Sequence, residues 1–586
     1  MKKLPLNTQL FKKIIENNYV YADKTQFIHE IVTMGDAFFL ARPRRFGKSL
    51  LLSTFEALFS GRRDLFDGLW IGDNAIAERK SDFMKSYDLD ETFPIVKLNL
   101  ASLKSNHCLE TDLKEALQTI AKSHGLEISG TSISRVFSNL ILDINSKYQK
   151  KVVLLIDEYD APVSENINNL VLVDENQKIL KNFYSQLKAR EDELRFVFIT
   201  GVTSYEFIWQ TGVLNHLYNL TMDDRFSSIC GFTYEEMDKC FKEFLPVTLD
   251  ILKHKKAIGN SDTISDLRKK IYNKYDGYSW DGITRVLNPF SLINFFSRNW
   301  FDNYWADHES SSKFLTGFVF NDPLIFSKTL LSKLTDKMIK FNNPNSLAPE
   351  PVLFQTGYLT IDKIVPGSMD TEYYLRIPND EISAKLKTDF TGYLFSIINK
   401  TPTEEKTVFR KAILNEDAKT ISTLLTANFS KLPAQHHEPT ESRYHGLLFF
   451  YFLGMPDVEV LCEPAGSEGT PDLVVKFEDG LHIIIELKYQ SDKTPTFSRK
   501  DDKFGEKKNN IENKTEIKII KEKKFKTEIV KITKRLAEKG LKAIEDINYS
   551  APYLIDAKKI IRMGLGIYGR GYCAALLEKD SQDIFR

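Results

Sequence analysis

The chain has 586 residues, about three to four times a common domain length, so two to four domains are expected. Hydrophobic residues make up 42% and charged residues 27%, the proportions of a folded globular protein, which excludes wholesale disorder. The 80 Lys and Arg balance the 80 Asp and Glu, so overall charge selects no anionic partner and any basic surface must be local.

Cys108, Cys230, Cys240, Cys462 and Cys573 are scattered, with no CxxC pair and no zinc-ligand spacing, and read as small buried residues in a reducing compartment. The longest apolar stretch, residues 447–453, falls far below the roughly 18–20 residues that cross a bilayer. No signal-peptide apolar core follows Met1-Lys2-Lys3. A cytoplasmic protein with no membrane partner is expected.

In chain order, a short apolar strand at 37–41 leads through an Arg-rich turn into a helical run from Lys48. Further compact apolar strands at 93–100, 151–156 and 195–200 are separated by helix-length material. Strands alternating with helices predict a parallel sheet covered on both faces over residues 1–230. Residues 231–400 have mostly helical periodicity, with a capped helix start at 232–236 and a strand-like patch at 352–361, and read as a helical lid or connecting domain. Residues 401–586 form the third domain: a helix reaching 444–452, strands at 458–462, 472–477 and 482–489, a basic helix, then strands at 560–568 and 573–577. Residues 491–542 carry 17 Lys and Arg against 9 Asp and Glu. That segment either tracks a phosphate backbone or is a solvated surface helix.

Two constellations carry chemistry. In the first, Arg42-Pro43-Arg44-Arg45-Phe46-Gly47-Lys48-Ser49 joins a strand to a helix, the context of a phosphate loop. Backbone N–H groups at the helix start, with Arg44, Arg45, Phe46, Gly47 and Leu50 around them, face the phosphates; Lys48 reaches the β and γ oxygens and Ser49 holds magnesium. Arg42 stands where the usual pattern has Gly. The strand at 152–156 ends in Asp157, a magnesium-holding carboxylate, and Glu158, which orients or deprotonates attacking water. The strand at 195–200 ends in Thr200, and Thr200 or Thr203 is the candidate γ-phosphate sensor. Such a strand is expected between the other two. Arg225 is a candidate for a charge acting across a subunit boundary.

Tyr21-Ala22-Asp23-Lys24-Thr25, the phosphate loop, Asp157-Glu158-Tyr159-Asp160-Ala161-Pro162, Ser228-Ile229-Cys230-Gly231-Phe232-Thr233, Tyr275-Asp276-Gly277-Tyr278 and Asn288-Pro289-Phe290-Ser291 resemble the AAA-ATPase-like family. These are bacterial proteins that often carry a C-terminal nuclease domain of the PD-(D/E)XK superfamily. The resemblance spans most of the first 300 residues. It implies a P-loop NTPase sheet, ATP and Mg²⁺ as cofactors, and tolerance of Arg at the first position of the loop.

In the second constellation, Asp472 begins one strand and Glu486 and Lys488 lie on its hairpin partner, joined by Glu478-Asp479-Gly480. Period-two alternation points Glu486 and Lys488 to one face, within reach of Asp472. Two carboxylates beside one ammonium suit phosphodiester hydrolysis, with Asp472 and Glu486 ligating Mg²⁺ or Mn²⁺ and Lys488 positioning the nucleophile. A Glu/Lys pair on a solvated edge strand is the competing reading. The spacing D-x(13)-E-x-K after Gly469-Thr470-Pro471 resembles the PD-(D/E)XK core, which implies a restriction-endonuclease-like α/β/α fold over about 440–580. Glu463, Glu468 or Glu441 is a further acid, and Asp546 stands where related proteins usually show Gln on the following helix.

The expectation is an α/β protein in which an ATP-hydrolysing P-loop domain is coupled through a helical middle to a metal-dependent nuclease, with nucleotide and nucleic acid, DNA favoured, as partners. The alternative is a nucleotide-gated nucleic-acid-binding or signalling switch on a non-cleaving nuclease-like scaffold.

Overall fold

A computed structural model describes residues 1–72, 88–103, 108–167, 169–205, 216–305, 333–335, 349–367, 370–431, 440–462, 471–491, 511–547, 557–569 and 571–579. They fall into two compact units, one ending at Lys385 and the other running from Leu386. Among the described residues, no helix is long and apolar enough to cross a membrane.

In the first unit, helices α1 (Phe11–Glu16) and α2 (Thr25–Met34) precede strand β1 (Ala37–Ala41) and helix α3 (Lys48–Phe59). There follow β2 (Ile95–Asn99), α4 (Leu109–Ser123), α5 (Ile133–Tyr148), β3 (Val152–Asp157), α6 (Ala161–Ser164), α7 (Leu170–Ala189), β4 (Leu194–Gly201) and β5 (Tyr218–Asn219). The strands form a sheet in the order β2-β3-β4-β1-β5, all pairs parallel. The runs Val-Val-Leu-Leu-Ile and Phe-Val-Phe-Ile are buried throughout, as a strand covered on both faces requires. Helices α4, α5 and α7 pack a single apolar cluster against β3 through Leu113, Leu117, Phe137, Leu140 and Phe183. Strand β4 lies between β1 and β3, so the C-terminal ends of the phosphate-loop strand and the acidic strand flank that of β4.

The chain continues with α8 (Tyr234–Phe241), α9 (Phe244–His254), α10 (Ile264–Tyr275), α11 (Pro289–Arg298), β6 (Lys333–Thr335), α12 (Pro349–Thr356), β7 (Thr360–Pro366), β8 (Thr371–Arg376) and α13 (Asp380–Ile398). Helix α8 starts with a reciprocal capping box: the Thr233 hydroxyl accepts from the Glu236 N–H and the Glu236 carboxylate accepts from the Thr233 N–H. The patch at 352–361 differs from its sequence reading. Residues 349–356 are helical, the chain turns at Gly357 with φ +91°, and only from Thr360 does it extend into an antiparallel sheet ordered β6-β8-β7. Helix α12 is buried around its circumference from Val352 to Thr356, polar Gln355 and Thr356 included, so it carries no helical period to read.

The second unit contains α14 (Pro402–Leu414), α15 (Ala418–Phe429), α16 (Glu441–Leu453), β9 (Val458–Cys462), β10 (Leu473–Phe477), β11 (Leu481–Gln490), α17 (Ile511–Ile547), β12 (Lys559–Tyr568) and β13 (Tyr572–Lys579). Its sheet runs β13-β12-β11-β10-β9, antiparallel except for the β11–β12 pair. The parallel pair requires a crossover, which α17 supplies. That helix lies very close to the sheet: a Cβ on Gly564 would come within 2.1 Å of the Ala537 carbonyl, and one on Gly540 within 2.7 Å of the Glu486 carbonyl.

Candidate functional site

The first site lies at the C-terminal ends of β1, β3 and β4. The loop after β1 turns through Arg45 at φ +64° and Gly47 at φ +102°, a left-handed position that Gly adopts without steric cost, and α3 begins at Lys48. Lys48 is buried, and its Nζ donates to the carbonyls of Arg42 (3.0 Å) and Pro43 (3.2 Å) and stands 3.6 Å from Glu158 Oε1. Ser49 Oγ donates to Asp157 Oδ2 and Thr200 Oγ1 to Asp157 Oδ1, both at 2.6 Å. These elements therefore bring Lys48, Ser49, Asp157, Glu158 and Thr200 together.

Glu158 is mostly buried, in left-handed backbone at φ +51°. Burial pushes its carboxyl pKa up, the Lys48 charge opposes that rise, and Asp160 and Asp157 add to it. A carboxylate raised above its ordinary range is a better proton acceptor than an exposed one. A cavity of about 940 Å³ opens beside it, lined by Arg44, Arg45, Phe46, Gly47, Lys48, Ser49, Leu50 and Glu158, and by apolar Ile14, Val20, Phe232 and Ile293. Basic, polar and apolar groups thus share its lining. A Ser hydroxyl and an Asp carboxylate in contact are hard oxygen donors, which fits Mg²⁺.

Individual residues depart from the simple sequence reading. Arg42 does not face the cavity chemistry. Its guanidinium is 1% exposed, donates to the carbonyls of Ala41, Thr221 and Phe226, and lies 4.0 Å from the centre of the Trp280 ring. Burial lowers its pKa to about 10. The Phe46 ring packs on Tyr278 at 4.7 Å, so this residue lines the cavity as part of the core, while Arg45 stacks 4.2 Å above Phe290. Thr203 is taken up by Asp160, whose carboxylate accepts its N–H (2.9 Å), its hydroxyl (2.6 Å) and the Val202 N–H (3.1 Å). Of the two threonines, only Thr200 touches Asp157. Asp160 was not assigned a role from sequence, although its place inside Asp157-Glu158-Tyr159-Asp160 was a signal. Arg225 is held by Asp223, the Tyr218 hydroxyl and Glu30.

The second site is at the start of β10 and the C-terminal half of β11. Leu473 pairs with Ile485, so Asp472 stands beside Glu486 at the mouth of the hairpin ladder. Asp472 Oδ2 accepts the Leu487 N–H at 2.7 Å, the Asp472 N–H lies 3.4 Å from Glu486 Oε2, and Lys488 Nζ donates to Glu486 Oε1 at 2.8 Å. Asp472, Glu486 and Lys488 are adjacent. Glu486 is only 6% exposed, unlike a carboxylate on a solvated edge strand. Its pKa is raised, first by burial and then by the Asp472 charge, with Lys488 opposing. Burial acts to lower the Lys488 pKa, but the hydrogen bond and charge of Glu486 prevail and raise it. Among the described residues no three His, Cys, Asp or Glu side chains form a metal cluster. The two carboxylates are hard donors that suit Mg²⁺ or Mn²⁺ with water completing the shell.

Glu463 and Glu468 lie outside the described residues, as do Gly469 and Thr470. Glu441, at the start of α16, accepts the Tyr489 N–H at 3.1 Å, one residue beyond Lys488. His445, which the sequence did not single out, pairs its Nε2 with the Asp472 carbonyl at 2.6 Å. Asp546 is corrected: it is exposed near the end of α17, where its neighbour Ile544 packs with Ile484, whereas Gly540 is the helix residue level with Glu486. On the site face beyond Lys488, Arg535 Nη2 approaches Gln490 Oε1 at 3.4 Å.

Residues 5–208 match the model of a family described as predicted AAA-ATPase. Over 504 residues, covering 83% of this chain and 90% of the other, the chain is 29% identical to a protein of Azotobacter chroococcum mcd 1 described as "Uncharacterized protein in vnfD 5'region".

Proposed function

We propose that the first unit binds and hydrolyses ATP, and that the second hydrolyses phosphodiester bonds, with DNA as the favoured substrate. The observation that carries the first part is the convergence of Ser49 and Thr200 on Asp157, with Lys48 beside Glu158, at the ends of three parallel strands. The family match over 5–208 supports it. Lys48 leaves the Arg42 and Pro43 carbonyls for the phosphates, the N–H groups at the start of α3 receive phosphate oxygens, and Glu158, released from Lys48, accepts a proton from the attacking water. Ser49 and Asp157 would hold Mg²⁺, which would neutralise phosphate charge.

For the second part, the support is the buried Glu486 carboxylate between Asp472 and Lys488. A charge in that setting is costly unless paired or metal-bound. Lys488 orients a nucleophile on the site face, and Asp472 and Glu486 would hold a divalent ion, which would supply charge stabilisation to a phosphodiester.

The test is one preparation of the full chain assayed for Mg²⁺-dependent ATP turnover and for cleavage of linear and plasmid DNA. Turnover lost in Lys48→Ala and DNA cleavage lost in Lys488→Ala are the expected results. Nucleotide-dependent DNA binding without strand scission would leave the second unit a non-cleaving scaffold and remove the nuclease assignment.

A further inference from the structure

We infer that Trp305 and Gln355, both outside the matched residues 5–208, are positioning residues for nucleotide binding and turnover, Trp305 acting through the phosphate loop and Gln355 through the segment after β4. This rests on the proposed ATP site and assigns the parts that hold it in register.

A phosphate loop works through backbone groups, so whatever fixes its carbonyls fixes the direction of its N–H donors. Trp305 is fully buried, and its indole Nε1 donates to the Arg44 carbonyl in the middle of the loop at 2.9 Å. The Trp305 backbone N–H is in turn fixed by Glu381 Oε1 at 2.8 Å, and the other oxygen of Glu381 accepts the Ser291 hydroxyl at 2.8 Å. Ser291 follows Pro289 and Phe290, which line the cavity. Beside the same loop, Gly357 approaches Pro43 so closely that an added Cβ would lie 2.9 Å from the ring. The loop is therefore gripped from behind at two consecutive residues, Pro43 and Arg44.

Gln355 grips the other strand end. Its Oε1 accepts the Ser204 N–H at 2.9 Å, and both residues are buried. Ser204 follows Thr203, which Asp160 fixes, and lies four residues beyond Thr200, the partner of Asp157. The single turn 355–357 thus touches both the loop that receives phosphate and the segment that carries the candidate sensor. Removing the indole donor loosens the ground-state cradle; removing the Gln355 acceptor loosens a group needed after binding. The two losses separate kinetically.

The experiment uses the full chain, with a fluorescent ATP analogue for affinity and phosphate release for turnover. Trp305→Phe, which keeps an aromatic ring against Tyr358, is expected to raise Kd and KM about tenfold, the equivalent of one buried hydrogen bond, with kcat within about twofold. Gln355→Met is expected to lower kcat about tenfold with KM within about twofold. If Trp305→Phe melts below the assay temperature, binding of the analogue is read at a temperature below its melt and is expected to be weaker than wild type likewise. Undiminished binding by Trp305→Phe, undiminished kcat in Gln355→Met, or kcat and KM changing together in both, overturns the assignment while wild-type binding stands. Failure of the wild type to bind the analogue overturns the nucleotide reading itself, and this assignment with it.

Discussion

Asp157 and Ser49 are 108 residues apart in the chain, yet the Ser49 hydroxyl donates to the Asp157 carboxylate at 2.6 Å. Thr200 takes the second oxygen of the same carboxylate, and Lys48 is occupied by two loop carbonyls and Glu158. The polar groups of the site thus satisfy one another. Under the proposed function, phosphate and cation would take over these contacts, so the site would change partners without leaving a charge buried alone.

Nucleotide is therefore expected to stabilise the fold through Lys48. At about one hundred times Kd, linkage gives roughly 2.7 kcal/mol. Thermal melts with Mg²⁺ and ATP should show an upward shift for wild type and none for Lys48→Ala; an equal shift in both contradicts this role.

Glu158→Gln removes the proton acceptor and weakens the tie on Lys48. Turnover should fall by about 10²–10⁴-fold, the range for loss of a positioned general base, while nucleotide affinity is kept or improved. Single-turnover phosphate release alongside equilibrium binding separates the two effects.

Replacing Arg42 with the usual Gly is expected to damage the protein. The side chain satisfies the carbonyls of Ala41, Thr221 and Phe226 from a fully buried position and covers Trp280. Arg42→Gly should cost about 3 kcal/mol or more by denaturant titration, without tightening nucleotide binding.

At the second site, Glu486 must be ionised to hold a cation, and burial with the neighbouring Asp472 raises its pKa. Protons and cation compete for the same carboxylate. The acid limb of DNA cleavage should therefore lie above the ordinary Glu range at low Mg²⁺ and move to lower pH as Mg²⁺ is raised. A limb that ignores Mg²⁺ contradicts this. Asp546→Ala, at an exposed position away from Glu486, should leave cleavage unchanged and stability within about 0.5 kcal/mol.

Much of the fold was legible because its signals are local. Runs such as 152–156 and 195–200 are apolar enough to be buried strands, and the acids and hydroxyl at their ends mark the face where a parallel sheet binds ligands. The alternation around Glu486 and Lys488 gave their common side. What was hidden depends on tertiary contact. The all-apolar Val352-Leu353-Phe354 run suits helix or strand alike, and packing decides for helix. Arg42 reads only as a departure from the usual Gly, and its partners Trp280 and Thr221 are too distant in the chain to be read beside it. The offset of Asp546 follows from where α17 crosses β11, fixed by Gly540 against Glu486 rather than by anything near residue 546.

The most direct test of the account is Mg²⁺-dependent ATP hydrolysis by the full chain, measured side by side for wild type, Lys48→Ala and Glu158→Gln. Steady phosphate release by the wild type and its loss in both variants are expected, with Glu158→Gln still binding nucleotide. Equal rates in all three proteins would contradict it.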